Sequence, residues 1–384
     1  MISIASKLPQ TETSIFTVMS QLALQHQALN VGQGFPGFEI DMHLASLVEK
    51  HMRSGKNQYA PMPGIIELRE QIATKISSLY GTNIDPQSEI TITAGATQAI
   101  FTAISAIIHS GDEVILFAPA YDCYEPAIRL QGGVPIWIEL RYPEYNIPWA
   151  TVKESITPKT KMVIINSPHN PTGKLWSAHD MKELEIISEE NNLLVISDEV
   201  YEHITFDDQK HESIFLYPKL AARSLSVFSF GKTFHATGWK VGYAVAGRGI
   251  MQEFRKVHQY NVFSVNTPVQ YALAEYLMNE EHYQKLPAFY QKLRDNFIEK
   301  MTGSHWQLQP AQGAYFQLLN YSRISELSDI DFAKQLVEKH KIAAIPVSVF
   351  YPHGCEDKLL RICFAKEEAT MNRAAEILLN IVPG

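Results

Sequence analysis

Six short apolar runs, each closed by small or polar residues and followed by a helix-like or turn-rich stretch, constrain this chain most. They span 89–93, 113–117, 162–165, 193–196, 226–228 and 241–245. Runs of this length and β-branched content suit strands buried on both faces rather than half-exposed ones. Strands of that kind alternating with helices predict an α/β fold, with a mostly parallel sheet covered by helices on both sides. In such sheets a ligand sits beyond the carboxyl ends of the strands, so chemistry is sought there.

The chain has 384 residues, enough for a large domain and a smaller one. The strand-rich region predicts a large domain over 40–268. After Pro268 the pattern becomes a long helical stretch over 269–301 that bridges to the remainder, which reads as strand, helix, strand, strand, helix. Residues 1–39 are expected to pack with 269–384 as a smaller α+β domain. The formal charge of −8 removes any global attraction for nucleic acid or anionic lipid, so anion binding must be local. Cys123, Cys355 and Cys363 show no metal-type spacing, and a reducing, cytoplasmic compartment fits them. The N-terminal stretch is interrupted by Pro9 and Glu12 and lacks the apolar run of a secretory signal. The apolar segment 99–108 is too short to span a bilayer.

Lys232 lies just past the run 226–228, in Ser229-Phe230-Gly231-Lys232-Thr233-Phe234. A partly desolvated primary amine there can form an imine with an aldehyde cofactor and move protons. A surface lysine in a Gly-containing turn is the commoner use of such a pattern. Asp198 closes the run 193–196 two residues on, where a carboxylate would pair with a pyridinium nitrogen, or cap a helix. Tyr201 could donate its phenol to a ring oxygen, or simply pack. Asn170, in Asn166-Ser167-Pro168-His169-Asn170-Pro171-Thr172-Gly173, is an amide in a proline-stiffened loop, suited to a ligand or a turn.

Thr93-Ala94-Gly95-Ala96-Thr97 reads as strand end, glycine turn and helix start, the arrangement that offers free N–H groups to a phosphate. Ser229 and Lys240 could complete that site, Lys240 as a point charge. Tyr121 offers a flat face for a pyridine ring. Arg361 is a charge within an apolar strand, shaped for bidentate grip of a carboxylate or for a buried ion pair.

Taken in order, from Gly32 to Arg361, these segments resemble the fold type I, class I and II aminotransferases that depend on pyridoxal 5′-phosphate. The resemblance rests most on Asn170-Pro171-Thr172-Gly173, Asp198-Glu199-Val200-Tyr201, the Lys232 segment and Gly238-Trp239-Lys240-Val241-Gly242. It implies that Lys232 carries the cofactor as a Schiff base and that Asp198 pairs with the ring nitrogen. Asn170 and Tyr201 would bind the ring hydroxyl, Tyr121 would stack on the ring, and Arg361 would hold the substrate α-carboxylate. Gly95, Ala96, Thr97, Ser229 and Lys240 would surround the phosphate. Tyr59 matches a tyrosine that reaches the phosphate of a partner subunit, which implies a homodimer.

Segments 31–36 and 122–126 are similar to the methionine, glutamine–phenylpyruvate and kynurenine aminotransferase branch. That branch implies Gly34 beside the carboxylate and Phe16 and Phe263 as apolar walls, and Lys240 in place of an arginine fits it. Ping-pong transamination of methionine or aromatic amino acids with a 2-oxo acid is expected, with aspartate a poor donor. A C–S β-lyase acting on cysteine conjugates or cystathionine is the nearest alternative. A non-catalytic regulator of the same fold is weaker, since residues 1–30 leave no room for a DNA-binding module. Residues 32–37 match G-x-G-x-x-G, yet the chain continues irregularly at Pro36 and no helix opens within the glycines, which argues against a dinucleotide site. His353 and Cys355 form no metal-ligand pattern, so no metal is expected.

Overall fold

Along each central strand the side chains sort alternately into two hydrophobic layers, because successive Cβ atoms point to opposite sheet faces. In Thr160–Asn166, Val163 and Ile165 join one core while Met162 and Ile164 join the other. Both faces are thus covered, as the continuous apolar runs require. The computed structural model describes residues 4–9 and 13–383; residues 1–3, 10–12 and 384, Glu12 among them, lie outside the described residues.

Seven strands form the main sheet in the order Ile90–Thr93, Gly242–Ala246, Ser224–Ser229, Leu194–Asp198, Thr160–Asn166, Glu113–Ala118 and Val134–Glu139. Gly242–Ala246 runs antiparallel to both neighbours and every other adjacent pair is parallel, so the expected mostly parallel α/β sheet is present. Val134–Glu139 was not among the six runs. It is an edge strand with Val134 43% exposed and Pro135 inside it, so its composition is diluted relative to a central strand.

The long helical stretch expected over 269–301 is divided among three helices, Thr267–Tyr276, Glu281–Gln284 and Leu286–Lys300. Pro287 opens the third, and its missing N–H cannot continue a preceding turn. The first packs against Met42–Arg53 and Ile66–Tyr80.

A second, antiparallel sheet has the order Ile345–Pro346, Leu359–Cys363, Phe316–Asn320. Leu29–Asn30 pairs in parallel with Ile342–Ala343, and Cys363 N–H donates to Val31 O at 2.7 Å. These bonds lay the N-terminal segment across Leu359–Cys363 and carry Gly32 and Gly34 to Arg361. Among the described residues, no helix is long and apolar enough to cross a membrane.

Candidate active site

Strand register decides which polar residues meet. Asn166 and Asp198 are direct neighbours at the carboxyl ends of their parallel strands, and Ser229 and Thr93, one and three strands from Asp198, both pair with Gly242 between them. Beyond this edge lies a cleft of about 200 Å³. Of the expected site residues, Ala96, Thr97, Tyr121, Asn170, Asp198 and Tyr201 line it, together with Lys232, Arg361, Gly34 and Phe16.

Asp198 is 4% exposed and caps no helix. Burial pushes its carboxyl up to about 6, against the Tyr124 hydroxyl, which donates to Oδ2 at 2.6 Å. The Asn166 amide donates to Asp198 O at 2.8 Å and accepts from Asn170 N–H at 2.8 Å, so one side chain fixes both the acid and the loop amide. Neither Tyr124 nor Asn166 was singled out from sequence, although both sit inside segments that were: 122–126 and 166–173.

Lys232 follows the end of Ser224–Ser229 in the short helix Phe230–Thr233. Its Nζ donates to Gly34 O at 3.1 Å and to the Tyr315 hydroxyl at 2.9 Å, and burial pulls its pKa down to about 8. The surface-lysine reading does not hold. Tyr201 stands edge-to-face on Tyr315, ring centroids 5.0 Å apart, and burial pushes its phenol far above the ordinary range.

At one end of the cleft the helix Ala96–Ile107 begins behind Gly95, whose φ of +83° places it in the left-handed region. A Cβ on Gly95 would come 3.5 Å from Lys240 Nζ, and one on Gly242 would come 3.3 Å from Ala96 N and 2.4 Å from Phe228 O. The two glycines therefore let backbone, Lys240 and the helix N-terminus converge, with Ser229 on the adjoining strand end. First-turn N–H groups lack intrahelical acceptors, and an anion is the ligand that suits them and the cation.

At the other end Arg361 is 1% exposed, yet all its hydrogen bonds go to neutral atoms: Nη1 to Asn170 Oδ1 at 2.6 Å and Nη2 to Gly32 O at 3.1 Å. Its buried Nε has no hydrogen-bond partner among the described residues. The guanidinium lies over the rings of Phe316, Phe350 and Phe16 at 4.0, 5.2 and 5.3 Å. Cation–π contact offsets part of its desolvation without neutralising it. A Cβ on Gly34 would meet Phe316 at 3.0 Å and lie 3.8 Å from Arg361 Nη2, so a bare position is needed there.

Tyr59 and Phe263 do not line this chain's cleft. They are 82% and 46% exposed and stand edge-to-face on the surface, centroids 5.4 Å apart.

Buried amine, a buried carboxylate hydrogen-bonded to neutral donors, a flat aromatic at Tyr121 and an anion cradle fit pyridoxal 5′-phosphate, whose aldehyde, ring nitrogen, ring face and phosphate have matching needs. Comparison with known proteins agrees. The methionine aminotransferase of Escherichia coli (strain K12) is 48% identical over 374 residues, covering 97% of each chain. The kynurenine–oxoglutarate transaminase of Dictyostelium discoideum is 33% identical, covering 96% of this chain and 94% of its own. A crystal structure from Escherichia coli identified with a methionine aminotransferase function superposes with a TM-score of 0.97 at 48% identity, over 98% of this chain and 99% of that one. Residues 28–378 match the family described as aminotransferase class I and II. The chain belongs to that family of transaminases, which is known to use pyridoxal phosphate.

Proposed function

We propose that the chain moves the amino group of methionine, and of aromatic amino acids, to a 2-oxo acid by a ping-pong reaction, with Lys232 as the cofactor lysine. One observation carries this reading. Lys232 and Arg361, the two cations lining the cleft, have only neutral hydrogen-bond partners, while the lining carboxylate, Asp198, lies buried. Pyridoxal 5′-phosphate, when bound, supplies an aldehyde for the amine and a ring that draws electrons from the substrate α-carbon.

The residues divide the remaining work. Arg361 binds the α-carboxylate, whose charge it lacks, with Gly34 leaving the room. Asp198 holds a proton on the ring nitrogen, with Tyr124 turning Oδ2 away from it. Asn170 spends its carbonyl on Arg361, which leaves its NH₂ to donate to the ring oxygen beside the Tyr201 phenol. Tyr121 covers the ring. Gly95, Ala96, Thr97, Ser229 and Lys240 hold the phosphate. Lys232 Nζ takes the α-proton, a task suited to an amine whose pKa burial has lowered toward neutrality.

Exposed Tyr59 reaches the phosphate of a partner subunit, Phe263 beside it, in a homodimer. The cofactor unit starts near residue 40. It ends near residue 268, and residues 1–39 with 269–384 form the smaller unit, Thr267–Tyr276 packing on the helices Met42–Arg53 and Ile66–Tyr80. Three unpaired cysteines suit a reducing cytoplasm.

Arg129 and Arg141 are engaged on the surface by Glu125 and Glu139 at 2.7 and 2.8 Å. Among the described residues lining the cleft, no cation beyond Lys232 and Arg361 faces a second substrate carboxylate, while Phe16 and Phe316 offer apolar wall to a thioether or ring. Steady-state kcat/KM for methionine, phenylalanine and aspartate tests the reading. Methionine should exceed aspartate by about 100-fold or more. Aspartate equal to methionine removes the substrate assignment, and a protein that acquires no visible absorption band with pyridoxal 5′-phosphate removes the cofactor role of Lys232.

A further inference from the structure

We infer that Tyr315, a residue outside the expected site, is a positioning residue whose hydroxyl forms, with Gly34 O, a station that holds the Lys232 amine in both of its protonation states. The inference rests on the proposed role of Lys232. Three distances define the station: Lys232 Nζ to Tyr315 Oη 2.9 Å, Lys232 Nζ to Gly34 O 3.1 Å, and Tyr315 Oη to Gly34 O 2.9 Å. The three groups close a triangle, and Tyr315 is fully buried.

Donor and acceptor capacity explains why a hydroxyl belongs at that corner. An ammonium donates to both oxygens while the phenol donates to Gly34 O, which makes three bonds. A neutral amine donates one hydrogen to Gly34 O and accepts from the phenol, which rotates its O–H, making two. Both states use the hydroxyl, whereas a phenylalanine at that corner would leave Nζ the Gly34 carbonyl alone. When Nζ removes the α-proton, the Cα–H bond breaks, its electron pair stays on the substrate side, and an N–H bond forms. The new ammonium is caught by the extra bond. A charged donor also makes the stronger bond, so the station favours the protonated amine.

The station spans the two parts of the molecule. Lys232 belongs to the main sheet's edge, whereas Gly34 and Tyr315 come from the N-terminal segment and the approach to Phe316–Asn320. Tyr201 packs edge-to-face on the Tyr315 ring and fixes its plane. Bringing the parts together therefore also completes the bonds of the amine.

Tyr315→Phe tests the hydroxyl alone, since the ring contacts with Tyr201, Tyr290 and Phe316 remain and Gly34 O keeps Lys232. The first readout uses cofactor-free protein. Lys232 is labelled with trinitrobenzenesulfonate across pH and its peptide quantified by mass spectrometry. The variant's midpoint should fall by about half a unit or more, because the three-bond ammonium state is lost. Asp198, Arg361, Cys363 and Lys240 also act on the amine, and Tyr201 faces it, but the substitution leaves all five in place.

The second readout is the kinetic isotope effect with α-deuterated methionine, which should rise in the variant while kcat falls about 10-fold or more and KM changes little. An unchanged labelling midpoint with an unchanged isotope effect overturns the station. Wild-type protein in which borohydride links no cofactor to Lys232 overturns the underlying reading instead, so the two failures are distinct.

Discussion

Two cations are buried equally deeply in this molecule and are treated in opposite ways. Lys75, 5% exposed on the helix Ile66–Tyr80, contacts Glu202 and donates to Tyr243 Oη at 2.8 Å. Glu202 also accepts from Tyr80 at 2.9 Å. Burial is the largest single influence and would raise the Glu202 carboxyl, but the charges of Lys75 and His203 together with their hydrogen bonds outweigh it and hold the group far below the carboxylate range. Arg361, 1% exposed, has an amide, a carbonyl, three aromatic rings and an unpartnered Nε, and no acid among its hydrogen bonds.

A buried charge without a counter-ion costs stability and is retained where a ligand brings the missing charge. Lys75 therefore serves the fold: its partner Glu202 anchors the turn that carries Tyr201, just past the strand end at Asp198. Arg361 serves the ligand.

The sharpest way to break this contrast is Arg361→Leu. We expect kcat/KM for methionine to fall about 10³-fold, roughly 4 kcal/mol, with the melting temperature of the cofactor-free protein unchanged or higher. A loss under tenfold would mean that the carboxylate binds elsewhere. Lys75→Met should do the reverse. It strands a buried Glu202 and lowers unfolding free energy by about 3 kcal/mol, while folded enzyme keeps its KM for methionine. Urea unfolding beside kinetics on the same preparation separates the two outcomes; a KM change without a stability loss would reverse the assignment.

Asp198 sharpens the contrast from the acidic side, with a somewhat smaller effect. Its folded pKa of about 6 lies above the ordinary aspartate value of 3.8, so its favourable contribution is complete below 3.8 and lost as pH rises through 6. Ionised Asp198 therefore destabilises the cofactor-free protein at pH 7.5. Asp198→Asn should raise the melting temperature of cofactor-free protein at pH 7.5 and leave it nearly unchanged at pH 4. Equal effects at both pH values would show that the carboxylate is satisfied within the chain.

Much of the site was legible in order along the chain. Asp198, Asn170, Lys232 and the Gly95 turn all lie at or just beyond carboxyl ends of apolar runs, and local pattern suffices to find such ends. What local pattern could not supply were partners. Tyr124 reaches Asp198 across 74 positions, Tyr315 reaches Lys232 across 83, and Asn170 meets Arg361 across 191. The choice for Arg361 between ion pair and ligand grip stayed open for the same reason. The broken helix over 269–301 and the edge strand Val134–Glu139 were hidden differently, by a proline at a helix start and by partial exposure that dilutes apolar composition.

The sequence by itself determined the sheet class, the strand ends and the chemistry of the side chains placed there, because periodicity and turn residues act within a few positions. The tertiary structure alone decided which buried charge is neutralised from within and which is left for a ligand. That depends on burial and on partners brought together from distant segments, and charge balance in a low-dielectric interior is a property of the assembled neighbourhood rather than of any one stretch of chain.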